Sequence, residues 1–142
     1  MNQPFILDCS VTMTWFFEGE ATLATDLLLD QLSHDGEVLV PSHWALEVAN
    51  TLLMGERRKR ATTAESVQFQ DILRGLAIKM DVETAARAGS DALALARSHH
   101  LTVYDAAYLE LAMRRNLPLA TLDQDLRSAA IKAGVKCLPE KI

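Results

Sequence analysis

The segment Phe5-Ile6-Leu7-Asp8-Cys9-Ser10-Val11 decides how the rest of the chain is read. Three apolar residues follow Pro4 and stop at an acid, a run too short for an ordinary helix and well suited to a buried strand. A carboxylate placed straight after such a strand is partly buried, and burial without a charge partner is costly. Asp8 therefore demands an explanation that a surface acid does not.

Outward from this strand, a helical stretch from about Thr12 to Leu32 breaks near Gly19, and Asp35-Gly36 turns the chain into a second apolar run, Val38-Leu39-Val40. Ser42 is placed to cap a helix from His43 to about Arg58. Thr62 with Glu65 forms a capping-box pattern opening another helix to about Leu73, so the two read as a helical hairpin. Leu76 to Met80 reads as a weak strand, Asp81 as the cap of a helix to Ser98, and Thr102 as the cap of a helix from Val103 to Arg115. Pro118 to Leu122 is a further apolar run, Asp123 caps a short helix ending at Gly134, and Val135 to Leu138 is the final strand. Short apolar strands separated by helices long enough for crossovers predict a parallel sheet covered on both faces, an α/β/α sandwich. No repeat, low-complexity segment or linker interrupts the 142 residues, so a single domain over 1–142 is expected.

Composition narrows the function. With a formal net charge of -5, no global positive field is available to hold a polyanion, and any nucleic-acid contact must be local. Cys9 and Cys137 lie in apolar runs without metal-ligand or redox spacing and read as buried thiols in a reducing compartment. The first residues lack a basic region followed by a long apolar one, and no apolar run reaches the ~18 residues of a membrane span. A soluble, cytoplasmic protein is expected.

In an open parallel sheet, ligands bind beyond the carboxyl ends of the strands. Asp8 ends the first strand there, Glu47 lies in the opening turns of the helix after the second, Asp105 in the first turn of its own helix, and Asp123 directly after the Pro118 to Leu122 run. Each has a plainer reading: Asp123 as an N-cap, Asp105 as part of a capping box with Thr102, and Glu47 as one of a polar stripe with His43, Asn50 and Thr51. Glu110 faces another side of its helix and reads as solvated. Together, however, four carboxylates at one sheet edge repel one another, so some protonate or a cation sits among them. All-oxygen ligation suits a hard cation, and Mg²⁺ or Mn²⁺ in such a site acidifies a water for attack on a phosphodiester. Ser10 and Thr121, each two residues from a carboxylate, are candidates to position substrate or water, although both also read as turn hydroxyls.

These motifs, Ile6-Leu7-Asp8-Cys9-Ser10-Val11, Trp44-Ala45-Leu46-Glu47-Val48-Ala49-Asn50, Tyr104-Asp105-Ala106-Ala107-Tyr108 and Leu119-Ala120-Thr121-Leu122-Asp123, together resemble the PIN-domain family, and within it the VapC-type toxins. The resemblance spans essentially the whole chain, in order. It implies a five-stranded parallel sheet, a Mg²⁺- or Mn²⁺-dependent endoribonuclease acting on transfer or ribosomal RNA, a homodimer, and inhibition by a small antitoxin protein. It places Asp8, Glu47, Asp105 and Asp123 on the acidic metal-binding and catalytic positions, Ser10 and Thr121 on accessory ones, and Asn50 on the polar position after Glu47. Asp125 leaves open which aspartate near the last strand contributes more.

The run Arg57-Arg58-Lys59-Arg60 reads either as a phosphate contact or as a solvated hairpin tip with basic residues suited to a helix C-terminus. Trp15, Phe16 and Phe17 read as core. Two rivals stand beside the nuclease: a degenerate domain that binds without cutting, and a phospho-accepting receiver. The receiver calls for adjacent acids after the first strand, where Asp8 is followed by Cys9.

Overall fold

A computed structural model describes residues 3–141. Its organising element is strand β1, Phe5–Leu7, fully buried between β2, Val38–Val40, and β4, Leu119–Ala120. All pairings are parallel, and β3, Ile78–Met80, and β5, Cys137–Leu138, complete the order β3-β2-β1-β4-β5. The five-stranded parallel sheet expected from the sequence is present; β1 and β2 match their apolar runs, and β3, β4 and β5 are shorter than theirs.

Chain order runs outward from β1 to one edge and resumes on its other side, so β1 and β4 form a topological switch point. Right-handed crossovers then require the helices between β1 and β3 to cover one face and those between β3 and β5 the other. The first set is α1, Cys9–Thr12, a 3₁₀ turn over Met13–Trp15, α2, Leu23–Ser33, and the hairpin of α3, Trp44–Arg57, and α4, Thr63–Arg74. The second is α5, Thr84–Arg87, α6, Leu93–His99, α7, Val103–Arg115, and α8, Gln124–Lys132. Helix α7 packs on β1 and β4 and against α6 and α8, with Tyr108, Leu109 and Leu111 fully buried.

Local chemistry explains where the elements begin. The Thr62–Glu65 capping box forms as expected, with Thr62 N–H donating to Glu65 Oε1 at 2.9 Å and Glu65 N–H to Thr62 Oγ1 at 3.1 Å. Thr22 and Thr25 make a second one, so α2 starts at Leu23 and the expected long helix from Thr12 is divided. Ser42 does not cap α3: His43 occupies that position with a helical backbone and no side-chain cap, and the Ser42 N–H is taken by Thr84 Oγ1. The expected helix from Asp81 to Ser98 is interrupted by a π turn over Ala88–Ala92, which contains Gly89.

The helix starts at Thr84 with Glu83 as its N-cap, so Asp81 stands two residues before the cap; it accepts the Thr84 hydroxyl at 2.8 Å and binds Arg114. The guanidinium donates to both Asp81 oxygens, at 3.0 and 2.8 Å, and to both Glu110 oxygens, at 3.0 and 2.9 Å. Glu110 is therefore buried and paired rather than solvated, and Arg114 holds the Asp81 carboxyl at about 2, well below its ordinary range. Arg127 is also buried and donates to the carbonyls of Thr121 and Pro139 at 2.8 and 2.7 Å, tying the end of the sheet to α8. Arg114→Met would leave Asp81 and Glu110 buried without a countercharge and is expected to cost about 3–5 kcal/mol of unfolding free energy, read as a lower urea midpoint. A loss below about 1 kcal/mol, the range of exposed pairs, would show that the network is a surface feature.

Candidate active site

Where β1 and β4 end side by side, their backbones bring Asp8 and Thr121 together. The Asp8 N–H donates to Ala120 O at 2.9 Å, and the two side chains then meet: Thr121 Oγ1 donates to Asp8 Oδ2 at 2.7 Å. Ser10 Oγ donates to the same oxygen at 2.6 Å and accepts the Leu122 N–H at 3.0 Å. Both hydroxyls bind one oxygen of Asp8, while Oδ1 takes no hydrogen bond from the described residues; Ser10 lines the cleft, but Thr121 is wholly buried beneath it and can orient Asp8 rather than touch substrate. Asp8 is only 5% exposed.

Glu47 reaches the same place from the first turns of α3. Tyr108 Oη donates to Glu47 Oε1 at 2.5 Å, and His43, one turn earlier, lies with Nε2 3.6 Å from that oxygen and 2.9 Å from the carbonyl of Tyr104. Asp105 stands on the first turn of α7, its N–H capped by Thr102 Oγ1 at 3.1 Å. Asp123 does serve as the N-cap of α8, accepting the Leu126 N–H on Oδ1 at 2.9 Å, and also faces the cleft.

Asp8, Glu47, Asp105, Asp123 and Ser10 all line one open cleft of about 590 Å³. Asn50 is exposed and outside that lining; its neighbour Thr51 takes the inward position, donating to Glu47 O at 2.8 Å. Asp125 is likewise exposed, and Asp123 is the aspartate turned to the cleft. Cys9 sits beneath the cleft as a free thiol, pushed up to about 12 by burial, which leaves it unreactive.

The electrostatics are those of an acidic site with no lysine or arginine of the described residues paired to its four carboxylates. Asp8 is raised above the ordinary carboxyl range by burial, despite its two hydroxyl donors, with Glu47 and Asp123 adding repulsion. Burial raises Glu47, with Asp105 contributing, and raises Asp105 to about 6, with Asp8 and Asp123 contributing. His43 is lowered by burial, so it adds little positive charge at neutral pH. Among the described residues no three acidic, histidine or cysteine side chains converge at metal-bonding distance. The donor chemistry nevertheless fits a hard divalent cation: carboxylate oxygens from four elements, one of them a buried aspartate with a free oxygen, and, among the described residues, no lysine or arginine paired to them.

Two contributors escaped the sequence reading. Tyr108 was legible only as an apolar neighbour of Asp105 on one helix face, and its hydroxyl partner lies 61 positions away. His43 stood in the polar stripe with Glu47, but its role as a brace between α3 and α7 depends on the Tyr104 carbonyl.

Fold and cleft together define a class: a parallel α/β/α domain with an acidic centre at its switch point. The family profile described as the PIN domain matches residues 5–132, and the chain belongs to that family. Over 82 residues, 58% of this chain, it is 39% identical to Ribonuclease VapC3 of Pyrobaculum aerophilum, of which it covers 63%, less than two thirds. Among solved structures it resembles PAE2754 from Pyrobaculum aerophilum with a TM-score of 0.68 at 20% identity, covering 97% of this chain and 92% of that one. It also resembles Mycobacterium tuberculosis VapC20, described as a sarcin-ricin loop cleaving toxin, with a TM-score of 0.63 at 15% identity over 88% and 94% of the two chains.

Because Asp105 ionises near 6 in the folded chain against 3.8 ordinarily, the folded state binds more protons than the unfolded state between those values. Stability of the metal-free protein therefore falls as pH rises through that window, and Asp8 and Glu47 act in the same direction. Urea midpoints measured in chelator at the two ends of the window should show the fall, and Asp105→Asn should shrink it. An unchanged pH dependence in that variant would show that the Asp105 carboxyl is not raised in the folded chain.

Proposed function

We propose that the cleft is the active centre of a divalent-metal-dependent endoribonuclease, the toxin of a toxin–antitoxin pair, acting as a single domain. The observation that carries this reading is the meeting of four carboxylates from β1, α3, α7 and the β4–α8 junction in one cleft, with no lysine or arginine of the described residues paired to any of them. Asp8, Glu47, Asp105 and Asp123 would hold Mg²⁺ or Mn²⁺. Such a cation, when bound, acidifies a water and stabilises charge on the leaving oxygen.

The chain's own residues prepare that centre. Ser10 and Thr121 fix the Asp8 carboxylate by occupying Oδ2, which aims Oδ1 outward. Tyr108 and His43 hold Oε1 of Glu47 and leave Oε2 for the cleft. The Asp123 carboxylate is oriented by its cap bond to Leu126. None of the arrangement supplies a poised acid–base pair for activating a ribose 2′-hydroxyl, since the nearest imidazole is bound to a backbone carbonyl. Water is then the nucleophile, and the cut leaves a 5′-phosphate and a 3′-hydroxyl.

The named relatives support the substrate and the partner. VapC3 is called a ribonuclease and VapC20 a sarcin-ricin loop cleaving toxin, which supports an RNA substrate; that it is transfer or ribosomal RNA, and that a small antitoxin is the inhibitor, is what the resemblance to VapC-type toxins implies. A homodimer in the cytoplasm is the working state; no helix of the described residues is long and apolar enough to cross a membrane.

Asp8→Asn, Glu47→Gln and Asp105→Asn should each lower the rate of RNA cleavage by more than about a hundredfold, beyond what losing an outer partner of a metal ligand costs, while the fold survives. Mass spectrometry of fragments made with Mn²⁺ should find 5′-phosphate ends. Cyclic 2′,3′-phosphates, or full activity in excess chelator, would overturn the mechanism.

A further inference from the structure

We propose that Arg60 is a phosphate-binding residue of the same cleft, held ready by Phe17 and Glu20, and that it grips the RNA backbone beside the bond to be cut. The inference rests on the ribonuclease reading and adds to it the residue that holds the strand. Four carboxylates and Glu20 line a cleft that must receive a polyanion, on a chain whose net charge is -5. Arg60 is the one cationic side chain among the described residues lining it. The adjacent Arg57, Arg58 and Lys59 are exposed and stand outside the cleft, so the basic run divides into three solvated residues and one that faces the site.

Several features place Arg60 there. Helix α3 closes in a Schellman turn: Lys59 adopts φ 60°, its N–H donates to Glu56 O at 3.0 Å, and the Arg60 N–H returns to Gly55 O at 2.8 Å. Gly55 opens the space beneath, because a Cβ there would lie 2.8 Å from Phe17 Cε1. Phe17, buried and edge-on to Phe16, then supports the guanidinium 4.2 Å above its ring. Glu20 contacts Nη2 alone, at 2.9 Å.

This geometry suits phosphate. A guanidinium lying on an aromatic ring presents its N–H groups at its edge, and Glu20 occupies only part of that fork, so a phosphate can take two of the remaining donors. With both partners about half exposed, the Arg60–Glu20 pair adds little to stability. Its consequence is orientation: Glu20 keeps the fork at the cleft mouth until a stronger anion arrives.

The test is steady-state cleavage of a short labelled single-stranded RNA with Mn²⁺ over a range of KCl. Arg60→Ala should raise KM about tenfold with little change in kcat, and should reduce the slope of log(kcat/KM) against log salt by about 0.7, the loss of one phosphate contact on a single strand. Arg60→Gln keeps an amide side chain against Phe17 and should behave like Arg60→Ala, whereas Arg60→Lys should restore the salt slope and only part of KM. Normal KM and slope in Arg60→Ala and Arg60→Gln, with cleavage intact, would overturn this inference alone. Failure of the wild type to cleave RNA at all would overturn the ribonuclease reading, and this one with it.

Discussion

Everything in the cleft depends on a carboxylate at the end of the central strand. Asp8 is hydrogen-bonded through its backbone to β4 and through Oδ2 to two hydroxyls, so sheet register and side-chain position are one constraint. A one-residue slip between β1 and β4 would turn Asp8 and Thr121 to opposite faces and dissolve the centre. The pairing Ile6 with Leu119 and Leu7 with Ala120 is secured by apolar residues that are wholly buried. Hydrophobic burial thus holds in place a group that hydrophobic surroundings disfavour.

Helix α7 carries the same problem at both ends and resolves it only at one. Near its C-terminus Arg114 binds two buried acids, Asp81 and Glu110, and the Asp81 carboxyl is lowered accordingly. Near its N-terminus Asp105 is half-buried beside Asp8 and Asp123 with no such partner, and burial first, then those two acids, raise its carboxyl to about 6. The chain can place an arginine among buried acids, and does so one helix length away. Under the proposed function, the cluster without a paired arginine is the one that a cation from solution would complete, and the paired one is structural.

Much of this was legible in the sequence because its signals are local. The short run Phe5-Ile6-Leu7 before an acid, the Thr62–Glu65 box and the Thr102 cap each depend on neighbours within a few residues, and each is found. Readings failed where a distant group outbid a local one. Asp81 reads as a cap, yet the helix starts beyond it and its carboxylate binds Arg114, and Glu110 is a reasonable surface acid until the same guanidinium draws it inward. Ser42 gives way to a backbone turn in which Trp44 N–H bonds Pro41 O at 3.0 Å, while the Trp44 indole anchors on Thr12 Oγ1 at 3.1 Å. Side-chain pairing across tens of residues leaves no periodic trace.

The same limit governs the basic run between α3 and α4. In sequence its four cations are equivalent, and a solvated hairpin tip is the natural reading. The helix terminator breaks the equivalence: a left-handed residue at Lys59 reverses the chain, so Arg60 leaves the tip and meets Phe17 and Glu20. Gly55 matters for the same reason, since it lies in the last turn of α3 where the returning chain bonds and where Phe17 needs room. The cleft of a negatively charged protein thereby gains its one cation among the described residues, fixed on a ring. For an anionic substrate, one oriented guanidinium at the cleft gives both attraction and register, whereas a diffuse positive surface would give attraction alone.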